Sequence, residues 1–511
     1  MKSLVIAWLI ATCGSILIEC LTRPRSPILV TGSSAALYRL AVFTFIFAFF
    51  FVWSWRPGFA AAATLILVSV FAAISVGKLR YTYEPLVFSD LAFVLDIFRH
   101  PTLFHTTFLG PLFLLAAIGA IAALIGFWFQ FEDPLAASLP VRLAVAVAWL
   151  AVAAAPFAGA MRRPLELWGL GIKQNPEVFG DLARHGLMAT LVMDWLSWRG
   201  DDREKRMASW SPPSPTIRRD ATTKAADLIV VAQCESFLDF RRFDAAGLDL
   251  PALDAARRRA IGWGRLGSAF AGGYTMRSEF AFLLGRRPAD IGFDRYYPYL
   301  NAGAYRAAAV PEALSGAGYA TQFIHPFHRD FFQRHRAMPG IGFQRMIMLE
   351  DFAGADRVGA YVGDAAVAER VIAEAKAASG PAFLFAATME NHEPWGAGRF
   401  EGVGDPVAVY KRHLRNGDAL LGRLVEAFEN WPGRVVLAFY GDHVPLLKAF
   451  ADPFPESDTD YVLMELGSGA PTRTLPAPER RLEVHELAWH VLEAAGLLGK
   501  ESVEMPDRPQ L

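Results

Sequence analysis

An acidic residue and a histidine stand side by side at Asp442 and His443, after an apolar run at 434–440 and one glycine. Such a run is typical of a buried strand in a parallel sheet. In open α/β sheets, reactive groups gather beyond the carboxyl ends of the strands. A carboxylate and an imidazole at that point can supply two ligands to a metal ion. The pair alone is a weak signal, so its value depends on what other strand ends contribute.

Two upstream runs end in polar residues in the same way. The run 227–234 is followed by Glu235, and the run 383–387 leads into a polar turn that contains His392. Because the carboxyl ends of parallel strands meet at one edge of a sheet, these side chains are expected to approach Asp442.

A hydroxyl group follows two glycines at Thr275. Alone it would be a turn residue, but Glu235, Thr275, Asp442 and His443 together would give one cation three oxygens and one nitrogen. That set suits Mn²⁺, Zn²⁺ or Mg²⁺ better than a thiolate-seeking metal. Coordination lowers the pKa of a hydroxyl and orients it, so we expect Thr275 to be a nucleophile.

These motifs, taken in order, resemble a known family. Glu235-Ser, Gly-Tyr-Thr275, Asn-His392-Glu-Pro and Tyr-Gly-Asp442-His are similar to motifs of the lipoteichoic acid synthases and of the phosphoglycerol transferases of periplasmic glucan synthesis. These enzymes belong to the alkaline phosphatase and sulfatase superfamily. The resemblance covers residues from about 226 to 495. It implies an α/β alkaline-phosphatase-like domain and one divalent metal, with Mn²⁺ expected first and Zn²⁺ or Mg²⁺ as alternatives.

The resemblance also implies a subsite for glycerol phosphate. In the family a histidine, an aromatic residue seven positions later and an arginine two further on bind this group, and His325, Phe332 and Arg334 match that spacing. The family often has tryptophan where Phe332 stands. His392 would lie at the phosphoryl group or the glycerol, where it could hydrogen-bond an oxygen or protonate a leaving group. Glu393 departs from the family, and an acidic side chain there could alter the choice of acceptor.

Two related branches of the superfamily fit the sequence less well. Sulfatases need a cysteine or serine followed by x-Pro-x-Arg to make formylglycine, and Thr275-Met-Arg277 lacks that pattern. Two-metal phosphatases need a second set of aspartate and histidine ligands, which the sequence does not reveal.

The N-terminal part of the chain is strongly apolar and favours a polytopic α-helical membrane domain. Crossing a hydrocarbon core takes roughly 20 residues. Glu19 and Arg39 at helix ends could extend towards water. The first apolar segment could instead be a signal peptide, but its flanks argue against this. Five membrane-spanning segments are predicted, at 3–18, 40–55, 57–77, 106–131 and 143–161.

Three regions follow from these patterns: a transmembrane domain at 1–165, a juxtamembrane helix and linker at 166–225, and an extracytoplasmic sulfatase-like catalytic domain at 226–511. The juxtamembrane helix could lie at the membrane interface or pack on the catalytic domain. In the third region, strand-like runs alternate with helical stretches, which indicates a mainly parallel sheet. These runs lie at 227–233, 319–324, 382–388, 434–440 and 461–466.

Charge and cysteine content narrow the possible partners. The net charge of −1 suggests no affinity for nucleic acid, and three cysteines imply no disulfide framework. The distribution of basic residues opposes a catalytic domain outside the cytoplasm. The family resemblance nevertheless implies a bacterial inner (cytoplasmic) membrane protein whose catalytic domain faces the periplasm.

The expected activity is that of a membrane-bound phosphoglycerol transferase. The donor would be phosphatidylglycerol, the intermediate a glycerophosphoryl group on Thr275, and the acceptor a periplasmic glucan or surface polysaccharide. Two alternatives stay open. One is phosphoethanolamine transfer to a lipid or glycan, and the other is a catalytically silent polysaccharide-binding envelope protein.

Overall fold

The computed structural model of the protein describes residues 2–22, 33–99, 111–155, 175–210, 217, 225–268, 274–470 and 477–498. The chain divides into two compact units, Met1–Asp201 and Asp202–Leu511. Of the predicted juxtamembrane helix and linker at 166–225, residues 166–174, 211–216 and 218–224 lie outside the described ranges, as does the predicted domain boundary at 165.

Apolar helices make up most of the first unit. Within the described residues, three helices are long and apolar enough to cross a membrane, by length and composition, and they correspond to the first three predicted spans. The fourth and fifth predicted spans correspond to two further helices, and their residues 106–110 and 156–161 lie outside the described ranges. The helices are α1 (Lys2–Glu19), α2 (Ser33–Ser54), α3 (Pro57–Thr82), α4 (Val94–Arg99), α5 (Pro111–Phe131), α6 (Leu139–Ala154), α7 (Val178–His185) and α8 (Leu187–Arg199), with a 3₁₀ segment at Phe88–Phe93.

A buried ion pair links three helices of this unit. Arg39 Nη2 lies 2.7 Å from Glu19 Oε2, and the backbone N–H of Met188 donates to Glu19 Oε1 at 2.7 Å. The expectation that Glu19 and Arg39 extend towards water was therefore wrong, because each charge finds its partner inside the unit. The predicted juxtamembrane helix is broken into α7 and α8 at Gly186, whose φ of 83° favours glycine.

A mainly parallel sheet organises the second unit, as the alternation of strands and helices predicted. Its eight strands are β1 (Leu228–Cys234), β2 (Gly262–Gly267), β3 (Ala320–Ile324), β4 (Arg345–Ile347), β7 (Ala382–Ala387), β8 (Val435–Gly441), β9 (Asp458–Leu466) and β10 (Leu482–Glu483), and β5 (Arg357–Val358) pairs with β6 (Tyr361–Val362) in a separate ribbon. The order in the sheet is β10-β2-β9-β8-β1-β7-β3-β4. β9 is antiparallel to β8 and β2, and the other pairs in the sheet are parallel.

Helices cover the sheet. Val371 and Leu421 belong to the same core cluster as Val230 of β1 and Leu384 of β7. On another side, the ring of Phe282 stacks on that of Tyr440 of β8 at 5.5 Å. The helices are α9 (Arg203–Ala208), α10 (Pro251–Arg259), α11 (Thr275–Leu284), α12 (Val310–Gly316), α13 (Arg334–Gly340), α14 (Asp364–Ala377), α15 (Pro406–Glu429) and α16 (Val484–Ala494), with 3₁₀ segments at Phe240–Arg242, Pro288–Tyr296, Pro298–Ala308, Phe331–Gln333 and Leu349–Phe352.

The strands that precede the predicted ligands are neighbours in the sheet. β1 lies between β7 and β8, and every residue of these three strands is buried. Cys234 is in register with Gly441, and Gln233 with Ala387. Because the strands are parallel and in register, the residues that follow them leave the sheet at one edge.

Candidate metal and substrate site

Glu235, Asp442 and His443 form a compact buried group at this edge. One ligand atom from each lies within 4.8 Å of the others. His443 Nε2 is 3.4 Å from Glu235 Oε1 and 3.3 Å from Asp442 Oδ2. Among the described residues, this is the group of three or more histidine, cysteine or acidic side chains with that spacing.

Thr275 lies beside this group at the start of α11. Its Oγ1 donates a hydrogen bond to Glu235 Oε2 at 3.2 Å and lies 3.5 Å from His443 Nε2. The structure therefore brings together all four predicted ligands. The two glycines before Tyr274 lie outside the described residues. A helix N-terminus favours a negative charge nearby, so the position of Thr275 suits a phosphate group.

The donor set fits a divalent cation. Asp442 Oδ2 is buried and accepts no hydrogen bond from the described residues, although His443 Nε2 lies 3.3 Å away. Nδ1 of His443 lies 3.1 Å from the carbonyl oxygen of Val444, which assigns a proton to Nδ1 and turns Nε2 towards the carboxylates. Burial raises the pKa of Glu235, and burial together with the charge of Glu235 raises the pKa of Asp442 to about 6. A bound cation would offset this mutual repulsion of the carboxylates.

The negative charges of Asp442 and Glu235 also affect the protonation of His443. Burial disfavours the imidazolium, but Asp442 and Glu235 outweigh burial and raise the pKa of His443. The two carboxylates thus draw positive charge to the centre of the group. A divalent cation there would replace the second imidazole proton, because a coordinating nitrogen must be unprotonated.

Backbone and hydroxyl groups fix the two carboxylates. The hydroxyl of Ser236 donates to Glu235 Oε1 at 3.0 Å, and its N–H donates to Asp442 Oδ1 at 2.8 Å. The N–H of Glu235 donates to Thr388 Oγ1 at 3.0 Å. Such contacts restrict the rotation of the carboxylates, which pre-organises a metal site.

His325 follows β3 and is fully buried. Its Nδ1 lies 3.0 Å from the carbonyl oxygen of Ala387, whereas its Nε2 has no hydrogen-bond partner. Burial, followed by the charge of Arg334, lowers the pKa of His325 well below its usual range. The ring is therefore neutral with the proton on Nδ1, and Nε2 is available to accept a hydrogen bond from a substrate hydroxyl.

Arg334 begins α13 and is also fully buried. Its Nη2 donates to Glu279 Oε2 at 3.2 Å, while Nε and Nη1 have no hydrogen-bond partner in the part of the chain that the structure describes. Its guanidinium lies 5.3 Å from the ring centre of Phe332. Phe332 and Gln333 both have left-handed backbone angles, with φ of 55° and 57°. This uncommon turn directs Phe332 and Arg334 together, so the spacing predicted from sequence corresponds to a contact.

Glu279 was not identified from the sequence. It lies one helical turn beyond Thr275 on α11 and accepts hydrogen bonds from Arg334, from the hydroxyl of Tyr299 and from Gln233 Nε2 at 3.5 Å. Gln233 precedes Glu235 by two residues on β1. The spacing of four residues from Thr275 on an apolar helix was the available signal, because such residues share a face.

His392 lies in the turn after β7 and is half-buried. Its Nδ1 is 2.8 Å from the carbonyl oxygen of Glu393, so Nε2 is the nitrogen left for substrate. Burial lowers its pKa, Glu393 opposes that effect, and the charge of His443 adds to it. Since His392 in turn lowers the pKa of His325, the three histidines share one electrostatic environment.

Comparisons with known proteins identify the family of the chain. The Sulfatase family matches residues 229–476. The chain is 38% identical over 471 residues to the capsular polysaccharide biosynthesis protein RkpI of Rhizobium meliloti (strain 1021), an alignment that covers 90% of this chain and 87% of RkpI. The chain therefore belongs to the sulfatase family, in the alkaline phosphatase superfamily, together with RkpI.

Two solved structures are similar at lower identity. The phosphoglycerol transferase GacH of Streptococcus pyogenes, in complex with sn-glycerol-1-phosphate, is 18% identical with a TM-score of 0.42, covering 58% of this chain and 78% of GacH. The C-terminal periplasmic domain of EptC from Escherichia coli, in complex with Zn, is 15% identical with a TM-score of 0.41, covering 56% of this chain and 86% of that domain.

Proposed function

We propose that the protein is a membrane-bound phosphoglycerol transferase, which moves glycerophosphate from phosphatidylglycerol through a threonine intermediate to a periplasmic glucan or surface polysaccharide. The observation that carries this proposal is the position of Thr275. Its hydroxyl lies 3.2 Å from Glu235 and 3.5 Å from His443, at a helix N-terminus. A hydroxyl beside a set of metal ligands is the arrangement that an activated nucleophile needs.

Donor binding uses the unpartnered groups of the site. Arg334 can offer Nε and Nη1 as a two-pronged contact to the phosphodiester, which is the geometry that guanidinium and phosphate favour. His325 Nε2 accepts a hydrogen bond from a glycerol hydroxyl. Phe332 lies beside the guanidinium and limits access of water to the contact.

Transfer then takes place in two halves. Thr275 Oγ1 attacks the phosphorus, and the bond from phosphorus to the diacylglycerol oxygen breaks. Thr275 loses its proton along its hydrogen bond to Glu235, while the diacylglycerol oxygen takes one from Nε2 of His392, which enters this half as the imidazolium. In the second half the acceptor hydroxyl attacks the same phosphorus and gives its proton to His392. The bond from phosphorus to Thr275 Oγ1 breaks, and the threonine oxygen takes back the proton that passed to Glu235.

Glu235, Thr275, Asp442 and His443 would hold one divalent cation, with Mn²⁺ expected first and Zn²⁺ or Mg²⁺ as alternatives. Such a cation lowers the pKa of a hydroxyl and neutralises charge on the phosphoryl group.

Two observations support the proposed acceptor and the proposed location of the protein. The name of RkpI assigns that relative to capsular polysaccharide biosynthesis, which favours a glycan acceptor. Three helices suited to crossing a membrane favour a lipid donor, since a lipid and an enzyme in one bilayer meet without extraction of the lipid. We place the protein in the bacterial inner membrane, with the catalytic domain facing the periplasm.

Phosphoethanolamine transfer is the second candidate, and Glu393 favours it. This carboxylate raises the pKa of the neighbouring His392, so its charge reaches the substrate side of the site, where an ammonium group could pair with it. A catalytically silent polysaccharide-binding protein is disfavoured, because all four predicted metal ligands are present and close together.

The test is lipid-product analysis with purified full-length protein in detergent. Phosphatidylglycerol and phosphatidylethanolamine are supplied separately, each with divalent cation, and released diacylglycerol is measured. Faster release from phosphatidylglycerol supports the proposal, and faster release from phosphatidylethanolamine supports the second candidate. Release from neither lipid would refute both transferase assignments.

A further inference from the structure

Arg399 clamps the turn that carries His392. Its Nη1 donates to the carbonyl oxygen of His392 at 2.8 Å, and its Nη2 donates to the carbonyl oxygen of Glu390. Both carbonyls belong to the short segment between β7 and α15. A guanidinium that bridges two carbonyls of one turn fixes the conformation of that turn, because its N–H groups are held in one plane.

The ring of Tyr361 supports the same arrangement. Arg399 lies 5.0 Å from the ring centre of Tyr361, and the rings of Tyr361 and His392 contact each other edge to face at 5.8 Å. Arg399 therefore holds His392 through its carbonyl, while Tyr361 contacts both side chains. The two contacts fix the imidazole plane as well as the backbone.

Arg399 is itself oriented by a buried histidine. Its Nη2 lies 3.3 Å from His413 Nε2, and His413 Nδ1 lies 2.8 Å from Glu390 Oε1. Burial lowers the pKa of His413, so the ring is neutral, with its proton on Nδ1 towards Glu390. Nε2 then accepts a hydrogen bond from Arg399, and each group in the chain has a matching partner.

The carboxylate of Glu390 anchors this assembly to two helices. It accepts a hydrogen bond from the N–H of Asp364 at 2.8 Å, at the start of α14, and one from Asn416 Nδ2 at 2.6 Å, on α15. The clamp is therefore attached to regular structure rather than to a loop. A site built on rigid elements holds its reactive groups more accurately.

From this geometry we propose that Arg399 is a positioning residue, which holds His392 in the orientation needed for proton transfer. The inference rests on the role of His392 in the proposed function. Arg399 acts through His392 and Tyr361, and its Nη groups are occupied by the carbonyls of the turn and by His413. Lysine would keep the charge but could not bridge the two carbonyls in one plane.

Arg399→Lys and Arg399→Gln test the proposal in the detergent-solubilised full chain. With whichever phospholipid the wild type turns over, we expect kcat to fall about 10- to 100-fold, the loss typical of a misplaced catalytic group. KM for the lipid and metal content should stay near the wild-type values. The matched control is Arg423→Lys, whose arginine pairs with Glu369 and Glu426 on the exposed side of α15, and it should keep full activity.

A double-mutant cycle separates positioning from a merely structural role. If Arg399 acts through His392, then Arg399→Gln should cause little further loss in a His392→Gln background, because coupled residues are not additive. Full additivity, or a wild-type kcat in both Arg399 variants, would overturn the proposal. Should Arg399→Gln fail to fold, Tyr361→Leu tests the same support from the other side, and unchanged kcat there counts against the clamp.

Different results would refute the role of His392 and the role of Arg399. If His392→Gln is as active as the wild type, the role of His392 in the proposed function is wrong, and the role of Arg399 falls with it. If His392→Gln is inactive and the Arg399 variants are fully active, the positioning role alone is wrong.

Discussion

Glu279 and Arg334 form an ion pair that is closed to solvent, with Arg334 Nη2 donating to Glu279 Oε2 at 3.2 Å. The pair uses one nitrogen of the guanidinium and leaves Nε and Nη1 without a partner in the structure. A buried charge is tolerated when a counter-charge lies beside it. Glu279 thus lets Arg334 stay charged inside the protein and leaves two of its nitrogens for the phosphate of the proposed donor.

Glu279→Gln should destabilise the second unit. The change leaves the charge of Arg334 uncompensated, and breaking a buried pair costs about 3–5 kcal/mol. Thermal unfolding followed by tryptophan fluorescence gives the comparison. Glu426→Gln removes a partner of Arg423 that is 75% exposed and should shift the midpoint far less. Equal shifts in the two variants would contradict a structural role for the buried pair.

Thr275→Ala should abolish turnover and leave the protein folded. The hydroxyl donates a hydrogen bond to Glu235, and loss of such a bond costs about 1 kcal/mol. Peptide mass spectrometry of the wild type, given donor lipid without acceptor, should find a glycerophosphoryl group on Thr275. Thr275→Ser keeps a hydroxyl and should keep part of the activity. An adduct on another residue would show that the nucleophile is misassigned.

Asp442→Asn should lower the content of bound metal. Its Oδ2 is buried without a partner and faces His443, so an amide there would weaken a cation site. A cation that binds the folded state stabilises it by about 2.7 kcal/mol at a hundred times its dissociation constant. Added Mn²⁺ should therefore raise the unfolding midpoint of the wild type, and chelation should lower it and stop activity.

The control for the metal site is Asp254→Asn, which alters a surface pair with Arg241. This variant should respond to Mn²⁺ like the wild type. If the wild type contains no metal and neither Mn²⁺ nor a chelator changes its unfolding midpoint, the four residues do not form a cation site.

Donor selectivity follows from hydrogen bonding in the subsite. His325 Nε2 is an acceptor without a partner in the structure, and a site built to bind hydroxyls rejects a headgroup that lacks them. Phosphatidylglycerol should release diacylglycerol much faster than phosphatidylethanolamine. Arg334→Ala should raise the activation free energy by roughly 1.5–3 kcal/mol, the usual contribution of a charged hydrogen bond, and so slow the reaction. A preference for ethanolamine would reverse the donor assignment and leave Thr275 in place.

Stability in acid should depend on Asp239. Burial alone would raise its pKa, but hydrogen bonds from Arg241 and Arg257 outweigh burial and lower the pKa from 3.8 to about 2. A lowered pKa stabilises the fold above the unfolded value, and this contribution is lost as the pH falls from about 4 to 2. Asp239→Asn should therefore lower the free energy of unfolding by about 1–2 kcal/mol at pH 7 and change it little near pH 2.

The comparison for this prediction is Glu369→Gln, which alters an exposed pair with Arg423. Unfolding midpoints of both variants are measured between pH 2 and pH 7. A loss of stability in Asp239→Asn that does not depend on pH would mean that the ion pairs are not its cause.

Five strands were predictable because each contains a short run of mostly apolar residues. The five predicted runs correspond to β1, β3, β7, β8 and β9. β2 (Gly262–Gly267) was not predicted, since it contains three glycines and an arginine, and glycine is depleted in strands. Its strand conformation comes from pairing with β9, which local sequence does not encode.

The motifs at strand ends were also predictable. Once β1 and β8 are recognised as parallel strands, the topology of the sheet brings Glu235 and Asp442 together. The groups that orient the site were not. Glu279 meets Arg334 across 55 positions of sequence, and Arg399 reaches His413 from a polar loop. In the sequence, a buried arginine or glutamate looks the same as one on the protein surface. Only the fold shows which of these charged residues are buried and paired.

The ligands come from distant parts of the chain, and this affects the order of events during maturation. Ser236 and Asp442, which are hydrogen-bonded, are separated by 206 positions, and Thr275 and His443 by 168. Contacts of such long range form late, because closing the intervening loops costs entropy before it brings any gain. A nascent chain without β8 lacks two of the four ligands. A cation held by these four residues would therefore bind at the end of folding and would not act as a nucleus at its beginning.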